Sequence, residues 1–153
     1  MRRGKTQSAS LFMMELILAI LIFSLASALC VQFFVKAHTL SGDAKALDFG
    51  CEATGSVADV IRSSDSLKDA ENTFDELYPS ALVEAEDNGV VISLYYDGEF
   101  ENCDPEDAAY TLETALSDSG EMLLGDMTFT DTDSGSSIYT LEVKHHIRRD
   151  AHE

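Results

Sequence analysis

The carboxylate of Glu15 stands inside "LFMMELILAILIF", residues 11–23, where every neighbour is apolar. An acid at the centre of a bilayer costs about 2.5–3.5 kcal/mol, and less near the interface. Such a group marks a functional site with a partner to be named. Asp131 and Asp133 alternate in "DTDSGSS", residues 131–137, as carboxylates do in calcium-binding turns. The run lacks a third regularly spaced acid and a closing Glu, so it reads first as a hairpin turn and only weakly as a calcium site. His145 and His146 open "HHIRR". Successive strand residues point to opposite faces, so the two imidazoles diverge and form no two-His metal site. His145 is expected to pack inward, with His146 in water and Arg148 and Arg149 on the acidic surface or in water. Cys51 and Cys103 could keep a disulfide outside the cytosol. Spacing does not say that they meet, so a pair and two free thiols both stay open. Cys30 reads as a small hydrophobe of the apolar run. No nucleophile elbow, phosphate loop, HExxH or zinc-type Cys/His spacing occurs. No enzyme activity, cofactor or resident metal is expected.

These residues must be positioned by the elements around them. The 153 residues suffice for one ordinary domain, and no internal repeat is present. Up to Lys36, Arg2, Arg3, Lys5 and Lys36 stand against Glu15 alone, a net +3. Beyond Lys36 lie six basic and 27 acidic residues, a net −21 within the total of −18. A body this negative repels phosphate, so direct nucleic-acid binding is not expected. Leu16–Val35 is free of charge and, at about 1.5 Å per residue, matches a hydrocarbon core of about 30 Å. A secretory signal has an apolar core of about 7–15 residues ending at a small-residue site. "ASALC" offers small residues, but the run continues through "VQFFV", which also disfavours a lipoprotein signal ending at Cys30. A plain signal anchor explains the span and an N-terminus in the cytoplasm. It leaves Glu15 as an accident.

The leader "MRRGKTQSAS" is short and basic and ends on a small residue. The helix after it begins "LFMMELILAILIF" and carries Glu at its fifth position. Together they resemble the N-terminus of a type IV prepilin or pseudopilin. The family usually has Gly before the cut and Phe then Thr after it; this chain has Ser10, Leu11 and Phe12. The resemblance implies cleavage between Ser10 and Leu11, with Ala9 as the alternative end of the leader. It implies a prepilin peptidase that makes the cut on the cytoplasmic side and N-methylates Leu11. It also implies as partners other pilin or pseudopilin subunits, an inner-membrane assembly platform, and membrane lipid before assembly. Glu15 of one subunit would then neutralise the new amine of another and set their axial register, the best-attested use of a buried ion pair. Some pseudopilins bind calcium in a C-terminal loop, which keeps Asp131 and Asp133 in view.

Beyond Lys36 the apolar positions Leu40, Ala44, Leu47, Cys51, Ala58 and Ile61, with Thr54 between, fall on one helical stripe. Asp43, Lys45, Asp48 and Glu52 lie opposite. One helix is expected over 11–63, with a break near Ser41–Gly42 as the alternative. A second helix is expected over Asp65–Leu77, with Leu67, Ala70, Phe74 and Leu77 inward and Pro79 as its stop. Four alternating segments follow. They carry Val90/Ile92/Leu94/Tyr96, Tyr110/Leu112/Thr114/Leu116, Met127/Phe129 with a bulge at Gly125, and Tyr139/Leu141/Val143/His145/Ile147. "EDNG" and Asp97–Gly98 mark turns.

The expected fold is α+β: a long N-terminal helix, membrane-spanning in its first half, packed on a small antiparallel sheet, as the resemblance also implies. Its parts are a leader (1–10), a membrane and assembly helix (11–36), an amphipathic stalk (37–63) and an acidic extracytoplasmic head (64–153). The expected function is a structural subunit, a minor pilin or pseudopilin, of a pilus-like, competence or type II secretion-like filament. The alternative is an uncleaved single-span anchor carrying an extracellular binding module.

Overall fold

The computed structural model describes the backbone of residues 4–86 and 89–147, and the side chains of residues 10–85 and 89–147. Asp87 and Asn88 of the "EDNG" turn, with Arg148 and Arg149, lie outside the described residues. The chain forms two compact units, Met1–Ala44 and Lys45–Glu153. Helix α1, Gly4–Ser63, contributes to both. The chain is already helical from Gly4, the first described residue, and not only from Leu11, since no Pro interrupts the stretch before the apolar run. It also runs unbroken through Ser41 and Gly42.

In the first unit every described side chain of α1, from Ser10 to Ala44, is exposed. Leu11 is 68 % exposed, Phe23 73 % and Phe34 77 %. The helix contains an 18-residue window of mean hydropathy 2.5, none of it buried within the chain. By length and composition it can cross a membrane.

In the second unit the end of α1 joins a short helix and a five-stranded sheet. Helix α2 spans Leu67–Leu77. Ser66 caps it, its hydroxyl accepting from Asp69 N–H at 3.2 Å, while the Asp69 carboxylate accepts from Asp65 N–H at 3.1 Å. That reciprocal pair satisfies donors the helix cannot use itself. The cap starts the helix two residues later than Asp65. Strands β1 (Leu82–Glu86), β2 (Gly89–Tyr96), β3 (Tyr110–Asp118), β4 (Met122–Asp131) and β5 (Ser137–His146) follow. They pair antiparallel in chain order, β1-β2-β3-β4-β5, as the expected meander with one strand more. β1 escapes a periodicity search because Leu82 and Val83 are adjacent, 48 % and 41 % exposed, on an edge strand with no buried face.

The inner face of the sheet carries Val90, Ile92, Leu94 and Tyr96 of β2, and Leu112, Thr114 and Leu116 of β3. Leu123, Met127 and Phe129 of β4 and Val143 of β5 complete it. Val57, Ala58, Val60 and Ile61 of α1, with Ala70 and Phe74 of α2, close the core. Full burial of each large side chain stabilises by about 1.5–3 kcal/mol.

The buried residues of α1 are Ala46, Gly50, Thr54, Val57, Ala58, Val60 and Ile61. The expected stripe is correct from Thr54 onward. Its earlier members Leu40, Ala44, Leu47 and Cys51 are exposed. The smaller neighbours Ala46 and Gly50 bury instead, because the helix lies close to the sheet there. A Cβ on Gly50 would come within 2.7 Å of Phe129 Cδ1. Gly125 makes the same allowance from the other side: a Cβ there would meet Ile61 Cδ1 at 2.6 Å. Gly125 is therefore a clearance and not a bulge; the register is regular through Leu116↔Gly125 and Gly125↔Val143, and shifts only at Phe129/Thr130. The buried Thr54 hydroxyl is satisfied by donating to Gly50 C=O at 2.7 Å.

Gly50, Gly55 and Gly125 thus answer differently to substitution. Gly125→Val should destabilise by about 1–3 kcal/mol through overpacking against Ile61. Gly50→Ala should also destabilise, since the Phe129 ring it meets is fully buried. Gly55, with nothing within 4 Å, should gain up to about 1 kcal/mol as Ala. Thermal unfolding of the full chain in detergent, followed by near-ultraviolet circular dichroism, checks the order Gly55→Ala above wild type above the other two.

Candidate functional site

The residues with the clearest chemical demand lie in the first unit. Between Leu11 and Val35 the one charged residue is Glu15. It is exposed on α1, and it makes no hydrogen bond or ion pair with any described residue. Ser10 and Leu11 are exposed one turn before it, on continuous helix. The spacing of Leu11 and Glu15 places them at i and i+4 on one face of that helix. A peptidase acting at the Ser10–Leu11 bond would have to unwind the helix locally. At Lys36, Thr39 turns its hydroxyl back on the helix, donating to Lys36 C=O at 2.9 Å.

The polar features of the second unit are committed to local structure. The Asp131 carboxylate accepts from Ser134 N–H at 2.7 Å and from the Ser134 hydroxyl at 2.8 Å. The turn closes through Gly135 N–H to Asp131 C=O at 2.8 Å, with Gly135 at φ 66°, a conformation that favours glycine. Those bonds from Ser134, backbone first, hold the Asp131 carboxyl below the usual carboxylate range. Asp133 is exposed on the same turn. Among the described residues, no group of three or more His, Cys, Asp or Glu side chains is arranged to hold a metal.

Cys30, Cys51 and Cys103 are free thiols. Cys103 is pushed up in pKa by partial burial and by the carboxylates of Asp97, Asp107 and Asp104. Its thiolate, the reactive form, is thereby disfavoured. His145 pairs in register with Leu123 and is half-buried; His146 pairs with Met122 and is exposed. The imidazoles are on opposite faces, as the alternation requires.

Sequence periodicity missed an aromatic cluster. Phe49 stacks on Phe100 (centroids 4.7 Å) and meets Tyr96 edge-on at 4.9 Å; Phe100 stacks on Tyr110 at 5.2 Å. Phe100 takes φ 66°, which is rare for a bulky residue, while the Asp97 carboxylate accepts from Glu99 N–H and Glu101 N–H at 2.8 and 3.0 Å. Burial, then the neighbouring Tyr78, pushes the Tyr96 hydroxyl up to about 12, so it stays neutral. Lys45, Asp48 and Glu52 rim the open recess beside Phe49 and Phe100, of about 240 Å³. Nothing in the sequence spacing joins Phe49 to the Phe100 of the "DGEF" turn, about fifty residues away.

No family model, curated protein or solved structure matches the chain.

The Asp131 turn gives a pH test. A carboxyl with a lowered folded pKa stabilises above its unfolded value of about 3.9 and loses that contribution as pH falls through the folded value. Asp131→Ala should therefore lower the melting temperature at neutral pH, and the gap from wild type should close as pH falls below about 4. Melting curves between pH 7 and pH 2 check it. A gap unchanged at the acid end would mean that the carboxylate is not the source of the turn's stability.

Proposed function

We propose that this chain is a structural subunit, a minor pilin or pseudopilin, of a type IV pilus-like, competence or type II secretion-like filament. The observation that carries the reading is Glu15: the one carboxylate in the apolar run of α1, without a partner among the described residues and at the fifth position after Ser10. The basic residues before the apolar run and the acidic body after it favour an N-terminus in the cytoplasm and a head outside it. A prepilin peptidase would cut after Ser10 and methylate the amine of Leu11. The helix would wait in lipid, then move to a filament core where neighbouring helices replace the acyl chains. Its apolar surface is covered in both places, so transfer costs little.

The amine and Glu15 are each costly in an apolar bundle and are tolerable there when paired between subunits. Pairing fixes one stagger between helices. Removing one partner of a buried pair destabilises by about 3–5 kcal/mol, because it strands the other charge.

Incorporation of Glu15→Ala and Glu15→Gln, expressed beside epitope-tagged wild type in cells with the native envelope, tests this. Both variants should insert in the membrane normally and enter sheared filaments or purified assemblies at least about tenfold less than wild type, since a loss of 1.4 kcal/mol already gives that factor. Unchanged incorporation would remove the register role. Normal insertion with no assembly of the wild type itself would fit the single-span anchored module instead.

A further inference from the structure

The meander ends on two unlike edges. β1 is five residues long and carries Glu84 and Glu86, a short charged edge that discourages a further strand. β5 is ten residues long, "SIYTLEVKHH", without Pro or Gly, and Glu142 and Lys144 are its two full charges. Ile138, Tyr139, Thr140 and Val143 favour a strand. Among the described residues β4 is the one strand paired with it, so no strand meets its outer row of N–H and C=O groups. Such an edge is a template for another chain. We propose that the β5 edge is a self-recognition site: it pairs antiparallel with β5 of a second copy, Val143 facing its own counterpart and Glu142 facing Lys144.

Parity and charge select that register. Residues directly opposite in an antiparallel pair share a face, and a slip of one residue turns every side chain over. Tyr139, Leu141 and Val143 face the core, while Thr140, Glu142, Lys144 and His146 are exposed on the outer face. Outer residues must therefore oppose outer residues. Setting Glu142 or Lys144 against its own counterpart opposes like charges, which weakens a sheet. Shifts toward Ile138 set both charges against uncharged residues. The register centred on Val143 pairs Glu142 with Lys144 twice, once on each side of the two-fold axis. Within one strand Lys144 and Glu142 already meet at 2.7 Å. Glu142 also stands across from Asp126 of β4, a like-charge pair that a second ammonium beside it offsets. The pairing spans residues 140–146 of each copy. On the inner face it sets Leu141 against His145, and both are half-buried in one copy alone.

The two-fold axis stands normal to the sheet, so it also turns the helix that packs there. Within the second unit Gly50 of α1 lies at Phe129 and Ile61 at Gly125, so this part of α1 runs opposite to β4. In the pair the two α1 segments therefore run in opposite directions. Copies whose segments lie parallel, as neighbours in one filament, cannot meet this way. The contact joins heads presented by two facing assemblies. The self-pairing does not depend on the filament reading.

The test uses the full chain in phosphatidylcholine nanodiscs, one chain per disc, so that the apolar helices of two copies cannot touch. Cys30 and Cys103 are changed to Ala, and donor or acceptor dyes sit on the exposed Cys51. Salt is held at about 0.15 M, where a Debye length of about 8 Å limits repulsion among the other acids. Energy transfer between discs should show wild-type copies associating at up to about 0.1 mM, since an edge contact is small and weak. Glu142→Lys alone and Lys144→Glu alone should each weaken self-association at least about tenfold, because both cross-strand pairs become like-charged. The double variant Glu142→Lys/Lys144→Glu, and an equal mixture of the two single variants, should restore it. No transfer between wild-type discs would overturn the inference and leave the edge to a strand of another protein. Association that the single variants leave unchanged, or that the double variant fails to restore, would also overturn it and assign the contact to another surface. Should a single variant lack the wild-type circular dichroism spectrum, a disulfide decides, because opposed strand residues lie within bridging distance. Mixed Glu142→Cys and Lys144→Cys chains, otherwise free of Cys, should then cross-link on oxidation, and failure to do so overturns the inference.

Discussion

An apolar helix surface that none of the described residues covers is the constraint on which the rest depends. From Leu11 to Val35 no side chain of α1 is buried. In water such a surface would drive aggregation. Lipid or other helices must take the place of water, and the single carboxylate in the run must then find a cation. Glu15 has none among the described residues; on the proposed reading the cation is the amine of Leu11 in a neighbouring chain. The span and the assembly proposal both answer that unmet demand; the junction at Ser10–Leu11 is what the resemblance to prepilins implies.

The second unit is stable on different terms. Its core is ordinary hydrophobic burial between one face of a five-stranded meander and the ends of two helices. What individualises it is the closeness of α1 to the sheet. Gly50 makes room for the Phe129 ring and Gly125 makes room for Ile61, so the helix and strand β4 approach at two points where any side chain would collide. At the first point the small residue is on the helix; at the second it is on the strand and the apolar Ile61 fills the space. The acids that crowd the exterior take no part in it, which leaves them free to act on whatever lies outside.

Much of this was legible from residue spacing. Alternation located the inner faces of β2, β3 and β5, because each has one buried and one wet face and the period of two survives. The helical stripe was correct at Thr54, Ala58 and Ile61 and out of phase before them, since hydropathy favours Leu47 and Cys51 over Ala46 and Gly50. Packing distance, which hydropathy does not encode, decided otherwise. Gly125 is ambiguous in sequence for the same reason: a glycine in a strand signals close approach as well as irregularity. Edge strand β1 has no buried face and so no pattern to read. The Phe49–Phe100 contact joins residues far apart in sequence and depends on a positive φ that no local signal announces. The apolar run and Glu15 were fully visible, because their demand is made by composition and position alone.

The central claim is that Glu15 is an assembly residue because a cut after Ser10 makes it the fifth of the mature chain. Intact-mass and N-terminal peptide analysis of the protein from cells with its native envelope tests that most directly. The account predicts a chain beginning at Leu11, its amine methylated. A membrane-bound chain that still carries the residues before Leu11 would contradict it.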